Sequence, residues 1–276
     1  MSGGCATQPF DPDLSMPERV ERLVRQFTAL WWEDETDPPL LGQKYTVREQ
    51  RERETQLERF QGVVTAEAKS LPRTAAERQA TKERILSAFR AFAQSSLGFA
   101  ESQMNALLDR GFPEVGTEFV PAARRFDPAI GGVDIFQALR NVWTMNGMQA
   151  LLGLPVCLTP AIFAYSMLYP YTDNYLDDPA IPARTKREFN ERFALRLAGE
   201  DVAAANAHER AIYDLVGMIE GQYERSRYPQ VLGSLMAIHH AQCKSIELLR
   251  RNASPYEVDV LGISLEKGGT SVLADG

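Results

Sequence analysis

The amino-acid sequence predicts an all-α protein, and three observations support that class. Apolar residues recur at intervals near 3.6 in the longer segments, as in Ile85, Leu86, Phe89 and Phe92. Helix-start signals precede such segments, and no segment shows the sustained apolar–polar alternation of a half-buried strand. With 276 residues, of which 44% are hydrophobic, the chain can bury a core in one large or two smaller domains.

The N-terminal part is predicted to be a tail followed by helices. Residues 1–15 contain Gly, Ser, Pro and Asp and little to bury, so we expect a disordered tail. Ser15 is a helix cap followed by proline and an acid, which predicts a helix to about Trp32. The following segments are predicted to be a loop over 33–42, a solvated helix over 46–69 and a helix over 74–110. Residues 16–110 would therefore form an N-terminal helical region.

Residues 111–276 are predicted to form the second and main part. The segment 111–132 contains three prolines and four glycines and is expected to be broken. From Asp134 onward helix follows helix, and Thr159-Pro160 is the expected start of the helix that carries Asp173. Later helices are predicted over 185–197, 201–223 and 228–251.

Composition restricts the possible function classes. The net charge is −7 and the pI is about 5.2, which argue against a nucleic-acid surface. Three widely spaced cysteines and the lack of an apolar N-terminal run indicate a reducing compartment, so we expect a cytoplasmic protein. Leu151 to Tyr171 is long enough to span a membrane, but three prolines interrupt it, which favours a buried core helix over a transmembrane segment.

An uncharged stretch that ends in acids is the most informative feature. No Asp, Glu, Lys or Arg occurs from Asn141 to Thr172, and the chain then continues Asp173-Asn174-Tyr175-Leu176-Asp177-Asp178. Asp173 and Asp177 are four residues apart and share one face of a helix. Two carboxylates carried into an apolar interior are best stabilised by a cation, and hard oxygen ligands suit Mg²⁺. The alternative is an ordinary helix end in solvent, closed by Asp178-Pro179.

Three segments, in order, resemble the motifs of class I terpenoid synthases and trans-isoprenyl diphosphate synthases. Residues 173–177 resemble the first aspartate-rich motif, with Asn174 in its second position. Residues 241–246 are similar to the GQxxDL helix, with Ser245 in place of aspartate. Residues 267–273 resemble the KTxxL segment. The resemblance covers about 141–276 and implies a helical bundle of that type.

The resemblance also implies a reaction and a set of site residues. The reaction is Mg²⁺-dependent prenyl transfer or cyclisation, which begins with ionisation of an allylic prenyl diphosphate. The implied metal ligands are Asp173 and Asp177, with Asn174 and Asp178 as further candidates. The implied diphosphate-binding residues are Lys267, Arg184 and Gln242, and the implied floor of the prenyl pocket is Tyr165, Leu168 and Tyr169. The alternative for each of these pocket residues is plain core, which is the more common environment of such side chains, and His239 could be either structural or part of the site.

The sequence also departs from that family. There is no clear GGKR-type segment, which leaves cyclisation or head-to-head chemistry open beside chain elongation. The second aspartate-rich motif is missing after residue 273. We therefore expect an incomplete C-terminus that needs a further segment, supplied by a longer chain, a partner or a homo-oligomer, and expect residues 1–276 alone to be inactive. The alternative is a non-catalytic helical partner or regulatory subunit of the same fold.

Overall fold

A computed structural model describes residues 14–33, 44–70, 74–108, 111–249 and 257–276. Every regular element within these ranges is helical, which confirms the all-α class. The predicted tail over 1–15 and the predicted loop over 33–42 lie almost wholly outside the described residues. The helices are α1 (Met16–Glu33), α2 (Val47–Ser70), α3 (Ala75–Ser96), α4 (Glu101–Leu108), α5 (Phe112–Phe126), α6 (Gly132–Leu151), α7 (Pro160–Asp177), α8 (Ala183–Ala198), α9 (Ala207–Gln222), α10 (Pro229–Ser245) with a 3₁₀ turn at Ile246–Leu249, and α11 (Val260–Asp275).

The chain divides into two compact units. The first contains Met1–Glu35, Glu118–Leu151 and Leu158–Gly276, and the second contains Thr36–Thr117 and Leu152–Cys157. This division differs from a boundary near residue 110, because α1 packs on α10 and α11 and so belongs to the first unit.

In the first unit, α7 is the central helix. It packs between α6 and α9, while α10 packs on α8, α11 and α1. Thr159 caps α7, accepting a hydrogen bond from the Ile162 amide at 3.2 Å, and Pro160 occupies the first turn, where its missing N–H costs nothing. Most α7 residues are buried, so the prediction of a buried core helix is confirmed from Pro160 onward, whereas residues 152–159 are not helical and are mostly exposed. Among the described residues, no helix is long and apolar enough to cross a membrane.

Two predicted segments differ from the structure. Residues 112–126 form a continuous helix although prolines were expected to break it. Pro113 lies in the first turn and Pro121 lies inside the helix, and Val115, Phe119 and Ala123 bury one face of it at intervals of four. Helix α9 begins at Ala207 because the Asn206 side chain accepts the Glu209 amide hydrogen bond at 2.9 Å.

The second unit is built on α2, α3 and α4. The Phe60 ring of α2 stacks on Phe92 of α3 with centroids 5.3 Å apart. Gly98, with φ +73°, lies between α3 and α4 in a conformation that disfavours other residues. The predicted single helix over 74–110 is therefore two helices.

The start of α11 depends on a close approach between Asp259 and Gly262. The Asp259 side chain caps the helix and accepts the Gly262 amide hydrogen bond at 2.8 Å. A β-carbon at Gly262 would collide with this carboxylate. This start of α11 therefore requires glycine at position 262, because glycine has no side chain to collide with Asp259.

Gly262→Ala should therefore leave the protein about 1 kcal/mol less stable than the same substitution at an unobstructed glycine of α11, because it costs the helix cap. Gly269→Ala is the matched control in the same helix, because no atom lies within 4 Å of its β-carbon position. That control should instead stabilise the protein by up to about 1 kcal/mol through higher helix propensity. Urea unfolding of the two variants measures the difference, and equal stability would contradict the steric argument.

Candidate functional site

An ion pair joins two of the predicted site residues across the first unit. The Lys267 ammonium of α11 donates to Asp173 Oδ1 of α7 at 3.0 Å, over a separation of 94 residues in sequence. Asp173 is buried, with 8% of its surface exposed, and the Lys267 side chain is 35% exposed. The carboxylate is therefore largely removed from water, while the ammonium keeps a route to solvent.

Tyr169 connects this ion pair to a cavity. It lies one turn before Asp173 on α7, and its hydroxyl interacts with the Asp173 carboxylate. Burial first, and then the Asp173 charge and hydrogen bond, raise the pKa of Tyr169, although Lys267 partly offsets them. The same side chain lines the cavity. Neither member of the Asp173–Lys267 pair lines the cavity, so the pair is connected to it through Tyr169.

The cavity lies among α7, α8 and α10 and is small. Its lining residues are Tyr165, Leu168, Tyr169 and Thr172 of α7, Phe193 and Leu197 of α8, and Leu235, Ile238, His239 and Gln242 of α10. The three predicted floor residues, Gln242 and His239 thus border one space. The free volume is about 30 Å³, whereas a cavity that accepts benzene is about 150 Å³.

The contacts of His239 are those of a residue that packs in the core. Its ring packs edge-on against Phe193 with centroids 4.9 Å apart, and its Nε2 lies 3.2 Å from the Asn190 carbonyl oxygen. Burial lowers the pKa of His239 to about 4. The ring is therefore neutral at physiological pH and contributes no positive charge to the cavity.

Asp177 extends the acidic face of α7 toward solvent. It is exposed, one turn beyond Asp173. Partial burial, followed by repulsion from Asp173, raises the pKa of Asp177, with Lys267 and Lys186 acting in the opposite direction. Among the basic residues that follow the aspartate-rich segment 173–177, Lys186 therefore has a charge that acts on the acidic face of α7.

The other predicted diphosphate-binding residue, Arg184, has a different environment. Its side chain is 82% exposed and pairs with Glu188 on the same helix at 2.7 Å. Gln242 thus lines the cavity and Lys267 contacts Asp173, while Arg184 belongs to a surface pair.

Asn174 and Asp178 interact away from Asp173. The Asn174 amide donates to Asp134 Oδ1 and Gln137 Oε1 of α6, both at 2.9 Å. Asp178 is exposed and its Oδ1 accepts a hydrogen bond from the Ala180 amide at 2.8 Å. Of the four residues predicted as metal ligands, Asp173 and Asp177 share the face that meets Lys267.

A Mg²⁺ ion at this acidic face would have to share its coordination with another ligand. Within the described ranges, no three His, Cys, Asp or Glu side chains are close enough to hold a metal ion by themselves. Mg²⁺ is commonly held by one or two carboxylates and completes its octahedron with water and substrate phosphate. Asp173 and Asp177 could supply such a pair, and Lys267 could add positive charge beside the phosphate.

A second lysine–carboxylate pair next to the site was missed from the sequence. The Lys244 ammonium of α10 donates to both carboxylate oxygens of Glu266 at 2.8 and 2.7 Å. Glu266 immediately precedes Lys267, so adjacent residues of α11 make ion pairs with α10 and α7. No spacing rule links residues 244 and 266. The only sequence signal was that Lys244 and Lys267 lie within the motif-like segments 241–246 and 267–273.

Comparison with other proteins adds no relationship: the chain matches no protein-family profile, no curated protein and no solved structure.

Proposed function

We propose that this protein is a Mg²⁺-dependent class I isoprenoid enzyme that acts on an allylic prenyl diphosphate by prenyl transfer or cyclisation. The observation that carries the proposal is the Asp173–Lys267 pair at 3.0 Å, which Tyr169 connects to a cavity that Gln242 also lines. An acidic helix face, a lysine and a mainly apolar pocket are what a diphosphate ester with a hydrocarbon tail requires.

Each group has a defined role in this proposal. Asp173 and Asp177 would hold Mg²⁺, which stabilises the pyrophosphate leaving group when it is bound. Lys267 would donate to the phosphate oxygens, and its charge would oppose the negative charge that develops as the C–O bond breaks. Leu168, Phe193 and their neighbours would exclude water from the resulting carbocation.

The volume of the cavity sets a condition on the proposal. About 30 Å³ does not accommodate a prenyl group, so the lining side chains must move when the substrate enters. Tyr169 is half-buried and lies between the ion pair and the cavity. We expect the chain of the substrate to displace this side chain first.

The alternative function is a non-catalytic helical partner of the same fold. Two observations favour it: Asp173 is already neutralised by Lys267, and the cavity is narrow. This alternative needs neither metal nor diphosphate, so a binding measurement separates the two functions.

The proposal predicts that inorganic pyrophosphate binds to the protein only in the presence of Mg²⁺. Calorimetric titration of pyrophosphate with and without Mg²⁺ measures this binding, and orthophosphate controls for general anion attraction. A prenyl diphosphate such as farnesyl diphosphate should compete with pyrophosphate, because both would use the same groups. No Mg²⁺-dependent uptake of pyrophosphate would contradict the proposed function and favour the non-catalytic partner.

A further inference from the structure

The ion pair between Asp173 and Lys267 bears on the order in which ligands can bind. The Lys267 ammonium is 3.0 Å from Asp173 Oδ1, at the carboxylate that the proposed function assigns to Mg²⁺. A carboxylate with 12% of its side chain exposed attracts cations strongly, since little water screens it. The protein's own cation is already in contact with this carboxylate.

A metal ion that arrives alone would have to replace this contact. Both cations would compete for one buried carboxylate, and the displaced ammonium would stay beside a divalent charge without a new acceptor. Asp177 cannot compensate fully, because it is exposed and solvated. Binding of Mg²⁺ alone is therefore opposed by the lysine.

A diphosphate changes this balance because it brings acceptor oxygens for the ammonium. Lysine is a compact charge on a flexible stem of four carbons, so Lys267 can turn from a carboxylate to a phosphate without movement of α11. Its partial exposure of 35% provides a path from solvent. Once Lys267 has moved, Asp173 is free to accept a metal ion.

We propose that Lys267 acts as a latch on Asp173, withholding this carboxylate from Mg²⁺ until a diphosphate gives the ammonium another acceptor. This inference rests on the proposed function and adds a regulatory step to it. By linkage, the latch makes metal and diphosphate binding mutually dependent, so each increases the affinity for the other. It would also keep the site from being loaded with metal when substrate is absent.

The neighbouring ion pair between Lys244 and Glu266 supplies a control. Lys244 and Glu266 form the same kind of contact at 2.7 Å, in the adjacent register of the same helix. Lys267→Met removes the ammonium and leaves a chain of similar length, while Lys244→Met makes the same change without touching Asp173. Any effect of losing one lysine charge in this region is thereby subtracted.

The test is titration of Mg²⁺ alone, followed by Mg²⁺ with inorganic pyrophosphate, into the full chain and both variants. The wild type and Lys244→Met should bind Mg²⁺ at least about tenfold more tightly with pyrophosphate than without it, which corresponds to about 1.4 kcal/mol of binding free energy. Lys267→Met should bind Mg²⁺ alone at least about tenfold more tightly than the wild type does. In Lys267→Met, Mg²⁺ alone should also raise the melting temperature, because it restores a cation to a buried carboxylate.

The outcomes distinguish the latch from the proposed function. Equal affinity of the wild type and Lys267→Met for Mg²⁺ alone, with pyrophosphate binding intact, would overturn the latch and leave the function standing. Loss of Mg²⁺-dependent pyrophosphate binding in the wild type would overturn both. If Lys267→Met does not fold, Lys267→Gln provides the same comparison with a neutral donor near Asp173. The wild-type titrations need no variant, because they test directly whether Mg²⁺ binding depends on pyrophosphate, as the latch requires.

Discussion

Replacing Glu209 with alanine should lower the free energy of unfolding by about 3 kcal/mol, at the lower end of the cost of breaking a buried ion pair. Glu209 is 1% exposed and accepts two hydrogen bonds from Arg192 of α8, at 2.9 and 2.5 Å. It also accepts the Ala205 amide at 3.0 Å. The variant leaves the guanidinium without its partner, although the 28% exposure of Arg192 lets water compensate in part.

The same residue predicts a pH dependence. Burial would raise the pKa of Glu209, but the hydrogen bonds from Arg192 and Ala205 outweigh it and lower the pKa below its ordinary value of 4.5. The folded state therefore binds the proton less readily than the unfolded state, and the contribution to stability is complete above about pH 4.5. It is lost as the pH falls through the folded-state pKa.

Urea unfolding at neutral and acidic pH, followed by circular dichroism, measures both effects. Glu52→Ala on α2 is the control, because its i,i+4 pair with Arg48 is exposed, at 57% and 88%. Such surface pairs contribute about 0–1 kcal/mol. A Glu209→Ala variant as stable as the Glu52→Ala control would contradict the role of the buried pair, as would a stability difference that does not diminish in acid.

Asp173→Asn should reduce Mg²⁺-dependent pyrophosphate affinity by more than about 100-fold, because even groups that only orient a metal ligand contribute about 10–100-fold. The amide is the same size as the carboxylate but carries no charge for a metal. Lys267 also loses its ionic partner, so the variant removes the latch and the ligand together. Its Mg²⁺ binding should therefore stay weak with and without pyrophosphate, unlike that of Lys267→Met.

Calorimetry under the conditions used for the wild type measures this loss. Asp214→Asn is the control, since Asp214 is an exposed residue of α9 and the variant makes the same change of charge. Circular dichroism establishes that Asp173→Asn is folded. Undiminished Mg²⁺-dependent pyrophosphate binding by a folded Asp173→Asn protein would remove this residue from the proposed metal site.

Local patterns were sufficient for much of the helical structure. The Thr159 cap, the proline after it and the apolar run that follows predicted a buried helix that delivers Asp173, and α7 has these properties. Prolines were less reliable guides, because α5 continues through Pro121 and buries one face through Val115 and Phe119. The rule that proline breaks a helix considers the backbone at one position only. Most of the stability of a helix comes from packing its apolar face against the rest of the protein, which that rule does not consider.

The sequence by itself determined the helical class, the helix that carries the acids, and the fact that Asp173 and Asp177 share a face. Those properties follow from spacing along one chain segment. Only the tertiary structure decided which of the two carboxylates is buried, that Lys267 reaches Asp173 across 94 residues, and that Asn174 is bound by α6 instead. These contacts depend on how α6, α7 and α11 pack, and packing sums many weak interactions between distant segments, which the spacing of residues within one segment does not encode.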